Sequence, residues 1–407
     1  MSEPLPPEFV SAPPANPHPG NDRVRADGPV HRVDYPPGSD AYVVVDYETT
    51  LKAFGDRRLS KRLDNAPAWF REQTMENSPV IGNNMLLADA PEHTRLRNLV
   101  SRAFLPRRME PLRPRIQEIT DDLIDALPDS GEADLMAGFA FPLPLRVICE
   151  FLAVPPEDRP RFQSWGEVLS RDPSETGEWA VRRRAANAEV EQYFAKVLAH
   201  RREHPGEDLI SELVRAADEE GTFTETELVS TLTLLVIAGH KTTANLVGNG
   251  SQALLRNPDQ LARLRADPEL VVPAIEEFLR FEGPVERGTM RVAVEDMQLG
   301  GVDIPKASFV HLSMCAADRD PDAFPDPHRL DIARTPNRHL GFGHGAHFCL
   351  GAPLARIEGQ IAFTTLLRRL PGLELAVPAD ELRWVIDSST SRGLQGLPVR
   401  IDGRLPR

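Results

Sequence analysis

The chain has 407 residues, 41% of them hydrophobic and 27% charged, which is an ordinary globular composition. Its 61 acidic residues outnumber 47 basic ones and leave a formal charge of −14, so it lacks the positive footprint that phosphate backbones require, and nucleic acid is not expected as a partner. No run reaches the ~18 apolar residues of a membrane span, and three cysteines (Cys149, Cys315, Cys349) are too few for a disulfide framework, which predicts a reducing cytoplasm.

Residues 1–20 carry Pro4, Pro6, Pro7, Pro13, Pro14, Pro17 and Pro19. They are expected to form an extended or disordered tail. Without a basic start or an apolar run they do not read as a signal peptide. No linker-like run follows, so 21–407 is read as one domain. Tyr42-Val43-Val44-Val45 predicts a strand, with a helix over 48–54. The segment 66–87 shows no apolar period and reads as a loop with short turns. From Glu92 to Phe104 charges interleave with Leu96, Leu99 and Val100, as on a half-buried helix. Helical patterns recur over 111–127, 142–153, 158–170, 175–203 and 208–218. Cys149 and Cys315 lie in apolar segments and read as core.

The longest helix is predicted over 224–256. Thr224 followed by Glu227 is a capping box, and the middle (Leu232, Leu234, Leu235, Val236, Ile237, Ala238) is apolar on all sides, as in a helix buried in a large core. Within it lies Ala238-Gly239-His240-Lys241-Thr242-Thr243. Gly and Thr are poorer helix formers than Ala or Leu. A gap at Ala238-Gly239 would admit a small molecule, and a Thr hydroxyl can loosen local helix bonding. Asn257-Pro258 and Asp267-Pro268 start shorter helices. Glu277 and Arg280 are i, i+3 neighbours that can pair. Residues 290–313 alternate and carry Gly300 and Gly301, which predicts a small sheet. The composite is mainly α, an α+β architecture with a long central helix and small β-sheets.

The most informative stretch runs Gly341-Phe342-Gly343-His344-Gly345-Ala346-His347-Phe348-Cys349-Leu350-Gly351. Glycines at every second position make a loop that can approach a flat ligand. Leu354, Ile357, Ile361 and Thr365 then recur at helical spacing. The thiol therefore sits at a helix N-terminus, a setting that favours the thiolate, and a lone thiolate on such a loop suits the axial position of a heme iron. The stretch resembles the cysteine-ligand loop of the cytochrome P-450 superfamily, matching Phe-x-x-Gly-x-x-x-Cys-x-Gly at Phe342, Gly345, Cys349 and Gly351.

That resemblance implies the following. The protein would be a heme-thiolate monooxygenase with the P-450 fold, binding heme b through Cys349, with the heme carboxylates held by His93, Arg97, Arg291 and His347. Thr242 falls on the family's oxygen-side threonine, and Lys241 stands where the family usually has an acid, leaving the proton supply in question. Glu277 and Arg280 match the family's Glu-x-x-Arg, with Arg329 as the third, structural member. The substrate would meet Leu86, Leu87, Leu234, Leu235, Ala238, Val285, Arg287, Ser389 and Thr390. It would be a bulky hydrophobic molecule such as a macrolide, another polyketide or a steroid-like compound, hydroxylated or epoxidised with O2. Electrons would come from NAD(P)H through ferredoxin reductase and ferredoxin. The ferredoxin would dock on a basic cluster of Arg102, Arg107, Arg108, Arg113 and Arg115 near the Cys349 side, with Arg338 and Arg356 flanking the loop. A soluble bacterial monomer is expected. Lys241 keeps open a peroxygenase or an oxidative coupling enzyme, and a heme sensor is the reading outside catalysis.

Overall fold

The longest apolar segment organises the molecule. A computed structural model describes residues 3–11, 14, 16–35, 39–78, 81–171, 176–220, 223–385 and 390–407. The long helix runs Glu225–Leu255, a length of ~46 Å. Thr224 Oγ1 accepts the Glu227 N–H at 3.2 Å, and the Glu227 carboxylate accepts the Thr224 N–H at 2.8 Å, completing the capping box. The helices Pro142–Phe151, Arg159–Leu169, Val271–Phe281 and Ala352–Arg369 pack around it. Packing against it is close enough to require glycine: a Cβ on Gly248 would lie 2.1 Å from Met136 Sδ, and one on Gly250 2.6 Å from Phe363 Cζ.

A five-stranded sheet lies apart from these helices. Its order is Val30–Val33, Ala41–Val44, Phe309–Leu312, Arg291–Ala293, Leu59–Ser60. Only Ala41–Val44 and Phe309–Leu312 pair in parallel; the rest are antiparallel. The segment 290–313 also contributes the hairpin Met297–Leu299/Val302–Ile304, turned by Gly300 and Gly301 with φ of +57° and +81°. A three-stranded sheet joins Ser130–Asp134, Pro398–Asp402 and Glu374–Leu375. The architecture is therefore mainly α with small sheets.

Two expectations need correction. Residues 1–20 are not a disordered tail where they are described. Leu5 bridges Val33 in parallel, Glu8–Ser11 and His18–Ala26 are helical, and Val10 is buried among Val33, Ala41 and Phe309. Proline is compatible with this because a first helical turn needs no N–H there, and Pro19 occupies such a position. Second, 66–87 contains the helix Ala68–Asn77. Its buried face includes Thr74 and Asn77 beside Phe70, so apolar periodicity does not mark it.

Candidate active site

The Cys349 loop is held by its own backbone. Cys349 N donates to the Phe342 carbonyl at 2.9 Å, and Phe348 N to the Gly345 carbonyl at 3.0 Å. Gly343 and Gly345 have φ of +70° and +73°, and a Cβ on Gly345 would stand 3.3 Å from the Phe54 carbonyl oxygen, so glycine is required for both reasons. The helix Ala352–Arg369 follows at once. Burial pushes the Cys349 thiol up, against the Gly351 and Ala352 N–H groups and the charges of Arg97 and Arg356. The expected lowering of the thiol is thus reversed, because desolvation outweighs the helix terminus. Cys349 is nonetheless an exposed residue. A cation bound there would supply the missing charge and take the thiolate directly.

A second set of residues braces the loop from behind. Arg356 donates to Glu276 from Nε and Nη2, both at 2.7 Å, and stacks 4.7 Å from the Phe342 ring centroid. His339 lies 3.0 Å from Glu276 through Nε2, while its Nδ1 accepts the Gly341 N–H at 3.0 Å. These bonds outweigh the desolvation of Glu276 and hold its carboxyl down to about 2. Nothing in the sequence pattern singled out this clamp, since His339 and Arg356 are 63 and 80 positions from Glu276 and become its neighbours only through packing.

The four predicted carboxylate-binding residues come together. The His93 and His347 rings lie 4.1 Å apart. Arg97 Nη2 donates to the Phe348 carbonyl at 2.6 Å. Arg291 is buried, lies over the Phe54 ring at 4.7 Å and is pushed down to about 10 by burial. His347 is pushed down to about 2 by burial and by the charges of Lys61, His93, Arg291 and Arg97. His93 Nε2 is buried with no hydrogen-bond partner. Such a group ordinarily costs stability, so a ligand with acceptor oxygens fits this place. The donor set therefore suits heme: a thiol on a glycine loop, with cations able to meet two carboxylates.

The long helix stays continuous through the segment 238–243. Thr242 Oγ1 donates to the Ala238 carbonyl at 2.8 Å, so the predicted loosening is a side-chain bond laid over an intact helix. The two small residues split their roles. Ala238 is exposed in the middle of the helix, whereas Gly239 makes room for Ile148, whose Cδ1 would be 3.2 Å from an added Cβ. Lys241 is half-buried. His240 is buried and held down to about 4 by desolvation, with its Nε2 3.2 Å from the Phe141 carbonyl. It is therefore neutral near pH 7 and engaged on the opposite side.

The structural triad is corrected. Arg280 forks onto Glu277 with two bonds of 2.8 Å, both side chains at 0% exposure. The third cation is Arg334, not Arg329: Arg334 Nε lies 3.2 and 3.3 Å from the Glu277 oxygens. The Arg329 side chain is 66% exposed and turns to Asp331; only its carbonyl joins, accepting from Arg280 at 3.3 Å. The basic cluster is also largely neutralised. Arg108 pairs with Glu212, Arg113 with Glu110, and Arg115 with Glu118 and Glu150. Arg102 and Arg107 are exposed and form no such pair among the described residues.

Of the predicted substrate contacts, Leu86, Leu87, Leu234, Val285 and Thr390 are half-buried. Val285 and Thr390 are brought together, since Val285 bridges Ser391 and Glu286 N donates to the Thr390 carbonyl at 2.7 Å. Leu235 is buried and belongs to the main core. Arg287 is buried beside a bridge to Ser313. Ser389 lies outside the described residues.

The Cytochrome P450 family model matches residues 178–372. Cytochrome P450 monooxygenase PikC of Streptomyces venezuelae is 46% identical over 95% of this chain and 91% of its own length. Vitamin D(3) 25-hydroxylase of Pseudonocardia autotrophica is 43% identical, covering 96% and 94%. Among solved structures, CxnD, a cytochrome P450 for C–S bond formation in chuangxinmycin biosynthesis, superposes with a TM-score of 0.96 at 53% identity, covering 100% and 99%. With relatives this similar over nearly the whole chain, and a thiol loop and cation cluster suited to heme, the protein belongs to the cytochrome P450 family of monooxygenases.

Proposed function

We propose that this monooxygenase holds heme b through Cys349 and inserts oxygen into a bulky apolar secondary metabolite of macrolide, polyketide or steroid-like type. The observation that carries the reading is the exposed Cys349 beside two guanidinium groups, Arg97 and Arg291, gathered with His347 around an unpartnered His93 nitrogen. When bound, the heme supplies dioxygen activation, and the thiolate donates electron density that favours O–O cleavage. The chain's own residues do the rest. His93, Arg97, Arg291 and His347 orient the group through its carboxylates. Arg356, Glu276 and His339 keep the loop, and with it the sulfur, in place. Thr242 donates its O–H to the Ala238 carbonyl and keeps lone pairs that can accept a hydrogen bond from water. His240 is not available as a relay, because burial keeps it neutral and its Nε2 is committed. Lys241 puts an amine where a carboxylate would relay protons, so water delivers them. Ala238 provides the opening over which the substrate lies, with Leu234 beside it. NAD(P)H-derived electrons arrive through ferredoxin reductase and ferredoxin.

The deciding experiment is the carbon monoxide difference spectrum of wild type and Cys349→Ala. The thiolate-specific band is expected in the former and absent from the latter; a mutant that keeps the band sinks the ligand assignment.

Oxidative coupling is a second reading, favoured by the 53% identity to CxnD and by Lys241 in place of an acid. Product mass separates the two: hydroxylation adds one oxygen atom, whereas coupling removes two hydrogens.

A further inference from the structure

Lys61 directly follows the edge strand Leu59–Ser60, and that strand pairs antiparallel with Arg291–Ala293 in the register Leu59↔Ala293, Ser60↔Val292. Continuing the register by one residue sets Lys61 opposite Arg291. Like charges facing each other across a ladder destabilise it. Lys61 is nonetheless 2% exposed and Arg291 equally so. The Lys61 ammonium finds one neutral partner, the Thr289 hydroxyl, and the Thr289 carbonyl in turn accepts from Arg291 at 3.0 Å. The nearest acid, Asp89, is occupied: it accepts the Lys61 N–H at 3.0 Å and the Ser60 hydroxyl.

The same place gathers His93, Arg97 and His347, which act on one another electrostatically. Among the described residues, none of these five side chains forms an ion pair, in a chain that carries 61 acidic residues. Burial, and next the charge of Arg291, push the Lys61 amine well down. A buried ammonium beside the Arg291 guanidinium is a costly arrangement unless an anion completes it.

We infer that Lys61 is a further anchoring cation for the two carboxylates of the heme, facing them from the sheet edge alongside Arg291. This rests on the heme reading above. With the carboxylates in place Lys61, Arg97 and Arg291 face the dianion while the two histidines stay neutral, and the Lys61 amine stays protonated and donates to a carboxylate oxygen. Its charge also favours the more negative, reduced state less weakly than a neutral side chain would, so it raises the reduction potential.

The test is a cycle between protein and cofactor. Apoprotein of wild type, Lys61→Met, Lys61→Arg and Thr289→Val is titrated with heme and with heme dimethyl ester, in which both carboxylates are blocked. Lys61→Met is expected to weaken heme binding roughly tenfold, the size of one charge-assisted hydrogen bond, and to leave ester binding unchanged. Lys61→Arg should recover most of the loss. Thr289→Val removes the hydroxyl contact and keeps the charge, so it should bind heme nearly as wild type does. The reduction potential should fall in Lys61→Met alone. An equal loss for heme and its ester in Lys61→Met, or a Thr289→Val that reproduces the Lys61→Met pattern, overturns the inference and makes Lys61 a packing residue. Wild type that binds neither compound overturns instead the heme reading on which the inference stands.

Discussion

Replacing Arg334 by alanine takes a cation from a carboxylate that has no access to water. Glu277 is 0% exposed, and Arg334 itself is 9% exposed in its side chain. Besides Glu277, the Arg334 guanidinium donates to the carbonyls of Pro325, Asp326 and Arg329 at 2.7, 3.2 and 3.2 Å. Breaking a buried pair by removing one partner costs about 3–5 kcal/mol. Glu277 keeps its two bonds from Arg280, the Asn337 amide at 3.1 Å and the Asp331 N–H at 2.9 Å. The loss therefore falls near the low end, about 3 kcal/mol. At roughly 2.1 cal/mol/K per residue, a chain of this length has an unfolding entropy near 0.85 kcal/mol/K, so 3 kcal/mol corresponds to about 4 °C in Tm. Arg329→Ala removes an exposed pair with Asp331 at 3.3 Å and should cost under about 0.5 kcal/mol, a shift below about 1 °C. The assay is thermal unfolding of both heme-loaded variants at one scan rate, with heme content measured alongside. If Arg329→Ala falls as far as Arg334→Ala, the carboxylate is not completed by Arg334.

Thr242→Ala should consume reductant normally while releasing more peroxide than wild type, and Lys241→Glu should couple better, because a carboxylate relays protons near neutral pH; unchanged coupling in both removes this helix segment from proton delivery. Glu276 contributes stability with a definite pH sign. Its carboxyl lies lower in the folded state, at about 2, than its ordinary 4.5. The stabilisation is therefore fully present above pH 4.5 and lost as pH falls from 4.5 towards 2. Glu276→Gln should flatten that acid limb in unfolding curves recorded between those values; an unchanged limb means that other carboxylates carry it. Arg107→Glu should slow reduction by ferredoxin and weaken its salt dependence. Arg108→Glu should do so less, because Arg108 is already neutralised by Glu212 at 2.6 Å; equal effects would place docking elsewhere.

Local signals were enough for much of the architecture. The Glu225–Leu255 helix begins where Thr224 and Glu227 indicate, because a capping box and an apolar stretch act within a few turns and need no distant partner. The glycines at 343 and 345 and the helix that follows Cys349 were legible for the same reason. Proline content misled at the N-terminus, where Val10 and Leu5 are ordered by strands more than twenty residues away. Tertiary packing alone chose Arg334 over Arg329, since two arginines five positions apart differ only in which way the chain turns them. It decided which arginines of the basic cluster keep their charge unpaired. It reversed the expected lowering of the Cys349 thiol, because desolvation depends on everything packed around the sulfur and a helix terminus is one contribution among several. It also brought Lys61 opposite Arg291, through a register formed between strands more than two hundred residues apart in sequence, a distance over which charge pattern carries no information.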